Sequence, residues 1–322
     1  MVQQQVVDLL AGLHRGERRS LARLLTWIEA MDARVPSVVE PPGNTADPVP
    51  VLGFTGPPGA GKSCLVSRVA EAYRQTSATV GVLAVDPSSP YTGGALLGDR
   101  LRMAEHINDP GVFVRSMASR GHAGGLAAAV PAALRAYRAY GFDRILLETV
   151  GVGQLEVEVS QNVDVTAVLV APGSGDDVQA RKAGVLEIAD ILVVNKSDQP
   201  GMQTTVRELA ESQRLAPHEA GAWRVPVVAT NAMTGEGVGE LLDAVEQFVA
   251  HSKSAGLWEE RRRRRRVAEW QTSLVRLVTE RIMEHSDQAP AYLEIREQVA
   301  DGSLHPVDAA RGVLDGMAVD GR

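Results

Sequence analysis

The chain has 322 residues, 44% of them apolar, and a formal net charge of −7 from 33 basic and 40 acidic side chains. A mildly acidic chain of this length holds one large domain with appendages, or two domains, and carries no electrostatic footprint for non-specific nucleic-acid binding. Its single cysteine, Cys64, excludes an intramolecular disulfide and any multi-cysteine zinc or iron–sulfur site, and suits a reducing compartment.

The first residues lack the basic-then-apolar pattern of a signal peptide, and no run approaches the roughly 18 apolar residues of a membrane span. The chain therefore reads as cytoplasmic, with no membrane partner. Residues 1–46 form an N-terminal helical extension. Within it Leu21, Leu24, Leu25 and Ile28 fall at i, i+3, i+4 and i+7, which makes one apolar stripe. Pro36, Pro41, Pro42, Gly43 and Pro48 mark a connecting segment.

Residues 47–250 alternate short apolar runs with helical stretches. The runs are Val51–Thr55, Val80–Val85, Val112–Val114, Ile145–Leu147, Val165–Val170, Ile191–Val194 and Val225–Ala229. Most are too continuous for half-exposed strands, so a mostly parallel sheet covered on both faces is expected. Residues 251–322 return to helical spacing. There Val267, Trp270, Leu274 and Leu277 make a narrow stripe that needs a partner surface, either the preceding domain or a second subunit. The run Arg261–Arg266 sits in a segment with 12 basic and 12 acidic residues, so it reads as a solvated helix face or an inter-subunit contact rather than a nucleic-acid site.

Gly56-Pro57-Pro58-Gly59-Ala60-Gly61-Lys62-Ser63 fits G-x-x-x-x-G-K-[ST] between an expected strand and an expected helix, Cys64–Tyr73. Glycines let the backbone wrap phosphate oxygens, and the helix adds its positive end. Lys62 would reach the β- and γ-phosphates, and Ser63 would bind Mg²⁺. Cys64, just inside the helix, is either a thiol activated by the helix end or a small apolar core residue.

Three carboxylates follow expected strands: Asp86, Asp99 and Glu148. Ligands of open α/β sheets bind at the carboxyl ends of strands, so Asp86 and Glu148 are candidate Mg²⁺ ligands, some of them acting through water. Asp99 is a candidate too, or else a helix cap or surface acid. Glu148-Thr149-Val150-Gly151 stands where many GTPases have Asp-x-x-Gly, whose glycine senses the γ-phosphate. The alternative reading of Glu148 is an ordinary strand-end acid.

Val193-Val194-Asn195-Lys196-Ser197-Asp198 fits the guanine motif Asn-Lys-x-Asp at a strand end. Asp198 can accept from guanine N1–H and the exocyclic amine, a donor pair adenine lacks. Asn195 can tie the base loop together, and the Lys196 stem can lie over the ring. A carboxylate buried there and left unpaired by the wrong base makes discrimination large. Thr230-Asn231-Ala232 resembles the last base-contacting loop of GTPases, with Asn231 in place of a common serine; a plain turn is the alternative. The fold class expected from these motifs is α/β: a P-loop GTPase whose mostly parallel sheet is flanked by helices, with helical extensions at both ends.

Several segments together resemble the methylmalonyl-CoA mutase-associated GTPases, the MeaB/ArgK family. They are Gly56–Ser63, Ala84–Ser89, Thr92-Gly93-Gly94, Leu97–Arg100, Arg115-Ser116-Met117, Arg120-Gly121-His122, Glu148–Gln154, Gly175-Asp176-Asp177, Ile188–Lys196 and the N-terminal Gly16–Arg23. The resemblance covers roughly residues 12–250. It implies a GTP-hydrolysing chaperone that uses GTP/GDP and Mg²⁺, forms a homodimer partly through C-terminal helices, and gates adenosylcobalamin loading of an acyl-CoA mutase while protecting or reactivating it. It also implies switch residues: Ser88, Ser89, Gly151, Asp176, Asp177 and Gln179. Lys182, in the loop Ser174–Lys182, is the matching candidate for a partner-induced catalytic cation beside Lys62 and Glu148, or is an exposed lysine. Gln179-Ala180-Arg181-Lys182 departs from the family's usual Gln-Gly-Ile-Lys, and Pro58 adds a second, stiffening proline to the phosphate loop. No residue reads as positioning the attacking water, so hydrolysis is expected to be slow until the partner accelerates it. Two alternatives stay open. One is a metallochaperone GTPase for a nickel enzyme, against which one cysteine and seven scattered histidines count. The other is a transport-linked protein kinase, for which no acceptor site is seen.

Overall fold

The computed structural model describes residues 2–30, 49–87, 103–106, 108–119, 125–149, 161–172, 188–215, 221–286 and 290–320. Among them the chain divides into two compact units, Met1–Val267 and Ala268–Arg322.

The first unit is built on a sheet of seven parallel strands: β1 Val51–Thr55, β2 Val80–Pro87, β3 Val112–Ser119, β4 Arg144–Thr149, β5 Val165–Val170, β6 Ile191–Asn195 and β7 Val227–Thr230, in the order β3-β2-β4-β1-β5-β6-β7. All the pairings are parallel. From β1 the chain runs outward to β2 and β3, returns as β4 between β2 and β1, then crosses to β5, β6 and β7 on the other side. The order thus reverses beside β1, and that is where an open α/β sheet offers a crevice at its carboxyl end.

Side chains alternate across each strand, and the two sets build separate cores. Leu52, Phe54, Val82, Leu146, Ala167 and Val193 point to one face. They pack with Leu65, Val66 and Val69 of α3 (Lys62–Gln75) and Leu241, Val245 and Phe248 of α6 (Val238–Ser254). Val51, Leu83, Val85, Ile145 and Leu147 point to the other face. There they meet α1 (Val2–His14), α2 (Arg18–Glu29) and α4 (Gly125–Tyr140). The expected stripe Leu21, Leu24, Leu25 and Ile28 is the buried face of α2, each side chain contributing about 2 kcal/mol of apolar burial. Farther along this sheet, α5 (Met202–Leu215) covers Val168, Leu192 and Val194 with Leu209.

β1 and β5 match the expected runs at both ends, β2, β4 and β6 extend past theirs by a few residues, and β3 and β7 differ for a readable reason. β3 continues through Arg115 and Ser116 to Ser119 because pairing with β2 persists, and Arg115 Nη2 makes a 2.7 Å ion pair with Glu29 of α2. β7 starts at Val227 rather than Val225, since Pro226 has no N–H to give the ladder and contributes only its carbonyl, to Leu192.

The amino ends of the strands are closed by charge. Asp164 and Asp190, just before β5 and β6, are buried and accept from the Val51 and Thr166 N–H groups. α7 (Leu257–Ser286) then supplies arginines from its first turns. Arg262 and Arg265 reach Asp164 at 3.1 and 3.0 Å beside Arg138 at 3.2 Å. Arg261 grips both oxygens of Asp190 at 2.9 and 3.1 Å. The arginine run is therefore not simply a solvated or inter-subunit face. Helical spacing turns positions 261, 262 and 265 inward and leaves Arg263, Arg264 and Arg266 exposed. Burial pushes the Asp164 carboxyl up, but Arg265, Arg262 and Arg138 outweigh it and hold the group below its ordinary range. Burial prevails at Asp190, which is raised despite Arg261.

The second unit contains the rest of α7, with α8 (Pro290–Ala300) packed on α9 (Pro306–Asp320). Val267, Trp270, Leu274 and Leu277 are exposed along α7.

Candidate functional site

At the carboxyl end of β1 the chain passes from Thr55 into a loop whose glycines have geometry that other residues resist. Gly56, Gly59 and Gly61 have φ of 138°, 77° and 90°, in the region that favours glycine. A Cβ on Gly56 would overlap the Leu169 carbonyl, and one on Gly61 would overlap the Asn195 amide. The loop can therefore close only with glycine at these two positions. Lys62 begins α3, buried, with Nζ donating to the Gly56 and Pro57 carbonyls at 2.7 and 2.9 Å. The ammonium is thus held inside the loop's curve, above the positive end of α3. Cys64 is half-buried against the core, as the apolar reading expects.

Ser63 sits beside it, and its hydroxyl donates to the Glu148 carboxylate. Glu148 is buried near the carboxyl end of β4, level with Phe54 of β1. Thr149, next in β4, donates to Thr55 at 3.1 Å. The serine hydroxyl and the carboxylate are hard oxygen donors, the set a magnesium ion takes. Asp86, next to last in β2, is level with Ala118 of β3, and its side chain lies outside the described residues. So do Ser88, Ser89, Asp99, Gly151, Asp176, Asp177, Gln179 and Lys182.

The second half of the site follows β6 and β7. Asn195, buried at the end of β6, joins three segments: Nδ2 donates to the Ala60 carbonyl at 2.8 Å, while Oδ1 accepts from Thr230 Oγ1 at 3.2 Å and from the Ala232 N–H at 3.1 Å. Lys196 turns the chain with φ 60°, a left-handed conformation that is uncommon outside glycine. The Ser197 N–H donates to the Thr230 carbonyl at 3.0 Å, and Asn231 Nδ2 donates to Asp198 at 3.1 Å. Asp198 is exposed, which corrects the expectation of a buried carboxylate there. Asn231, where a serine is commoner, thus holds the acid in place. Sequence reasoning anticipated the tie through Asn195 but not that through Asn231. It also missed Arg68 of α3, which donates to the Ala232 and Met233 carbonyls. No motif spacing marks that arginine.

One end of the sheet therefore carries a glycine loop around an ammonium, a serine–carboxylate pair, and an Asn-Lys-x-Asp turn tied to the glycine loop through Asn195. The chain matches the family described as methylmalonyl Co-A mutase-associated GTPase MeaB over residues 21–291. It belongs to the MeaB family.

A Pyrococcus horikoshii protein that bears a GTPase name is 40% identical over 314 residues, spanning 97% of this chain and 98% of that one. The mouse protein named methylmalonic aciduria type A homolog, mitochondrial, is 32% identical over 331 residues, spanning 96% and 79% of the two chains. Among solved structures, one described as LAO/AO transport system kinase superposes with a TM-score of 0.70 at 23% identity, covering 98% of each chain. That likeness shows the fold, a P-loop GTPase sheet flanked by helices. In this MeaB-family chain the described glycine loop and Asn-Lys-x-Asp turn occupy the carboxyl end of that sheet, the loop after β1 and the turn after β6.

Proposed function

We propose that the chain binds GTP and GDP with Mg²⁺ at this end of the sheet, hydrolyses GTP slowly by itself, and acts as a chaperone of an adenosylcobalamin-dependent acyl-CoA mutase, methylmalonyl-CoA mutase foremost. The nucleotide state would gate cofactor loading and protect or reactivate the mutase. The observation that carries the nucleotide half is the Asn195 junction. One buried side chain links the phosphate loop, the Asn-Lys-x-Asp turn and the loop after β7, so phosphate and base would be gripped by one rigid unit. The partner half rests on the family's description and on the name of the mouse relative.

In this reading Gly56, Pro57, Gly59, Ala60, Gly61 and Cys64 wrap the phosphates. Lys62 shifts its donors from the loop carbonyls to the β- and γ-oxygens. Thr230, Asn231 and Ala232 border the base, the Lys196 stem lies over its ring, and Asp198 accepts from N1–H and the exocyclic amine. Ser63 and Glu148, with Asp86 and Asp99, would hold the magnesium ion. When bound, the ion would neutralise charge building on the phosphate oxygens. Water attacks the γ-phosphorus as the bond to the β–γ bridging oxygen breaks, giving GDP and phosphate. Lys62 stabilises the charge that develops, and Lys182 is the candidate second cation once the partner is bound. Ser88, Ser89, Gly151, Asp176, Asp177 and Gln179 would report the γ-phosphate to the mutase. We further propose a cytoplasmic homodimer formed partly through the C-terminal helices, a reading supported by the exposed Val267, Trp270, Leu274 and Leu277 of α7.

Titration of the purified chain with GDP and ADP tests the base reading; equal affinities would overturn it. Adding a cobalamin-dependent mutase should raise GTP turnover by at least about tenfold, an arginine-finger-like cation being worth far more than that. Absence of both binding and stimulation would overturn the partner reading and leave the nucleotide reading intact.

A further inference from the structure

We infer that Arg68 positions the carboxylate that reads guanine, so that base selectivity depends on a side chain of the phosphate-loop helix that touches no base. The inference rests on the base reading above and deepens it.

Arg68 lies on α3, past Lys62 and Ser63. Its Nε donates to the Ala232 carbonyl at 3.2 Å and its Nη2 to the Met233 carbonyl at 3.1 Å, across 164 and 165 residues of sequence. These two N–H groups leave the same edge of the guanidinium, so the fork matches two successive carbonyls. The remaining nitrogen, Nη1, donates to Glu71 Oε2 at 2.8 Å, one turn along the helix, which fixes the fork's direction.

The same two peptide groups are held from their other ends. The Met233 and Thr234 N–H groups donate to Asn231 Oδ1 at 2.9 and 3.3 Å. Each peptide plane therefore lies between the arginine at its oxygen and Asn231 at its nitrogen. Asn231 then passes the connection on, its Nδ2 donating to Asp198 Oδ1 at 3.1 Å. The result is one polarised line from a cation, through two aligned peptides and an amide, to an exposed anion. Every donor and acceptor along it is oriented to strengthen the next. Asp198 is exposed, and this line sets its direction. Release of Arg68 lets the 232–234 backbone turn, which moves Asn231 and with it Asp198.

A purely structural arginine would affect stability and leave base choice alone, so selectivity is the decisive readout. The full chain and its Arg68→Gln and Arg68→Lys variants would be titrated with GDP and with inosine diphosphate, which lacks the exocyclic amine. Arg68→Gln should weaken GDP about five- to tenfold, the worth of roughly one net hydrogen bond, and should narrow the preference for GDP over the inosine nucleotide at least about threefold. Arg68→Lys should not restore it, because a point ammonium cannot span two carbonyls and a carboxylate. KM for GTP should rise while kcat stays within about twofold, the pattern of lost uniform binding. An unchanged preference, or equal losses for both nucleotides, would overturn the inference. If Arg68→Gln does not fold, Glu71→Gln decides: it frees the fork's far edge and should narrow the preference about twofold, one exposed ion pair being weak, and no change would overturn the proposal. Asp198→Asn separates the two layers. It should favour xanthosine diphosphate over GDP. Retained GDP preference would overturn the base reading and this inference together, whereas a switch to xanthosine with unaltered Arg68 variants would overturn the Arg68 role alone.

Discussion

The two ends of the sheet use the same residue types in opposite ways. At the amino ends, Asp164 and Asp190 are buried, each caps the start of a neighbouring strand, and each is met by guanidinium groups. At the carboxyl ends, the polar groups are arranged around glycine turns. Lys62 rests on loop carbonyls and Asp198 is exposed on an amide tether. The amino end holds charges against other charges, so it contributes to stability. At the carboxyl end, Lys62 and Asp198 bond to neutral dipoles, which are weaker, and such contacts can be exchanged for a ligand's. Buried charge pairs are costly to break, whereas bonds to backbone carbonyls are worth about 1 kcal/mol each.

This contrast predicts which end a substitution will damage. Lys62→Ala should lower GTP turnover at least about a thousandfold, or roughly 4 kcal/mol, while the unfolding free energy of the nucleotide-free chain changes by about 1 kcal/mol or less. A comparable loss of stability, read by denaturant titration, would break the division between the two ends. Asp164→Ala should do the reverse. It leaves Arg138, Arg262 and Arg265 clustered without their anion and should cost roughly 3–5 kcal/mol of unfolding free energy. The GDP affinity of the folded fraction should move less than about threefold, small interactions distant from the site being close to additive.

A smaller effect sharpens the comparison within the amino end itself. Asp164 titrates below its unfolded value, so its contribution is complete above the ordinary carboxylate range and is lost as pH falls through the folded value. Asp190 titrates above its unfolded value. Its contribution is therefore complete in acid, below the unfolded value, and is lost as pH rises through the folded one. Asp190→Asn removes a group that stabilises on acidification. The variant should then lose stability between about pH 7 and about pH 4 more steeply than the parent, by about 1 kcal/mol or less. A shallower slope in matched urea titrations would show that Arg261, not burial, governs Asp190.

Much of the site was readable as sequence because its chemistry is local. Gly56, Gly61, Lys62 and Ser63 must be adjacent for a backbone turn to enter a helix, and Asn195 and Asp198 must flank one turn. Strand positions were equally plain, since a sheet covered on both faces demands continuous apolar runs. Where β3 and β7 departed from the expected runs, the cause in each was a single bond: a distant Glu29 that lets Arg115 stay in a strand, and a missing N–H at Pro226. The arginine run misled because composition shows its charge but not the two aspartates that helical spacing brings it to.

By itself, the sequence determined the order of strands and helices, the glycine loop and the guanine-type turn, each set by residues within a few positions of one another. Only the tertiary structure decided that Asn195 closes on Ala60, that Arg68 reaches the loop after β7, and that Arg261, Arg262 and Arg265 seal the far end of the sheet. Those contacts join residues tens to more than a hundred positions apart, and their pairing depends on the strand order, which places loops side by side that no local spacing connects.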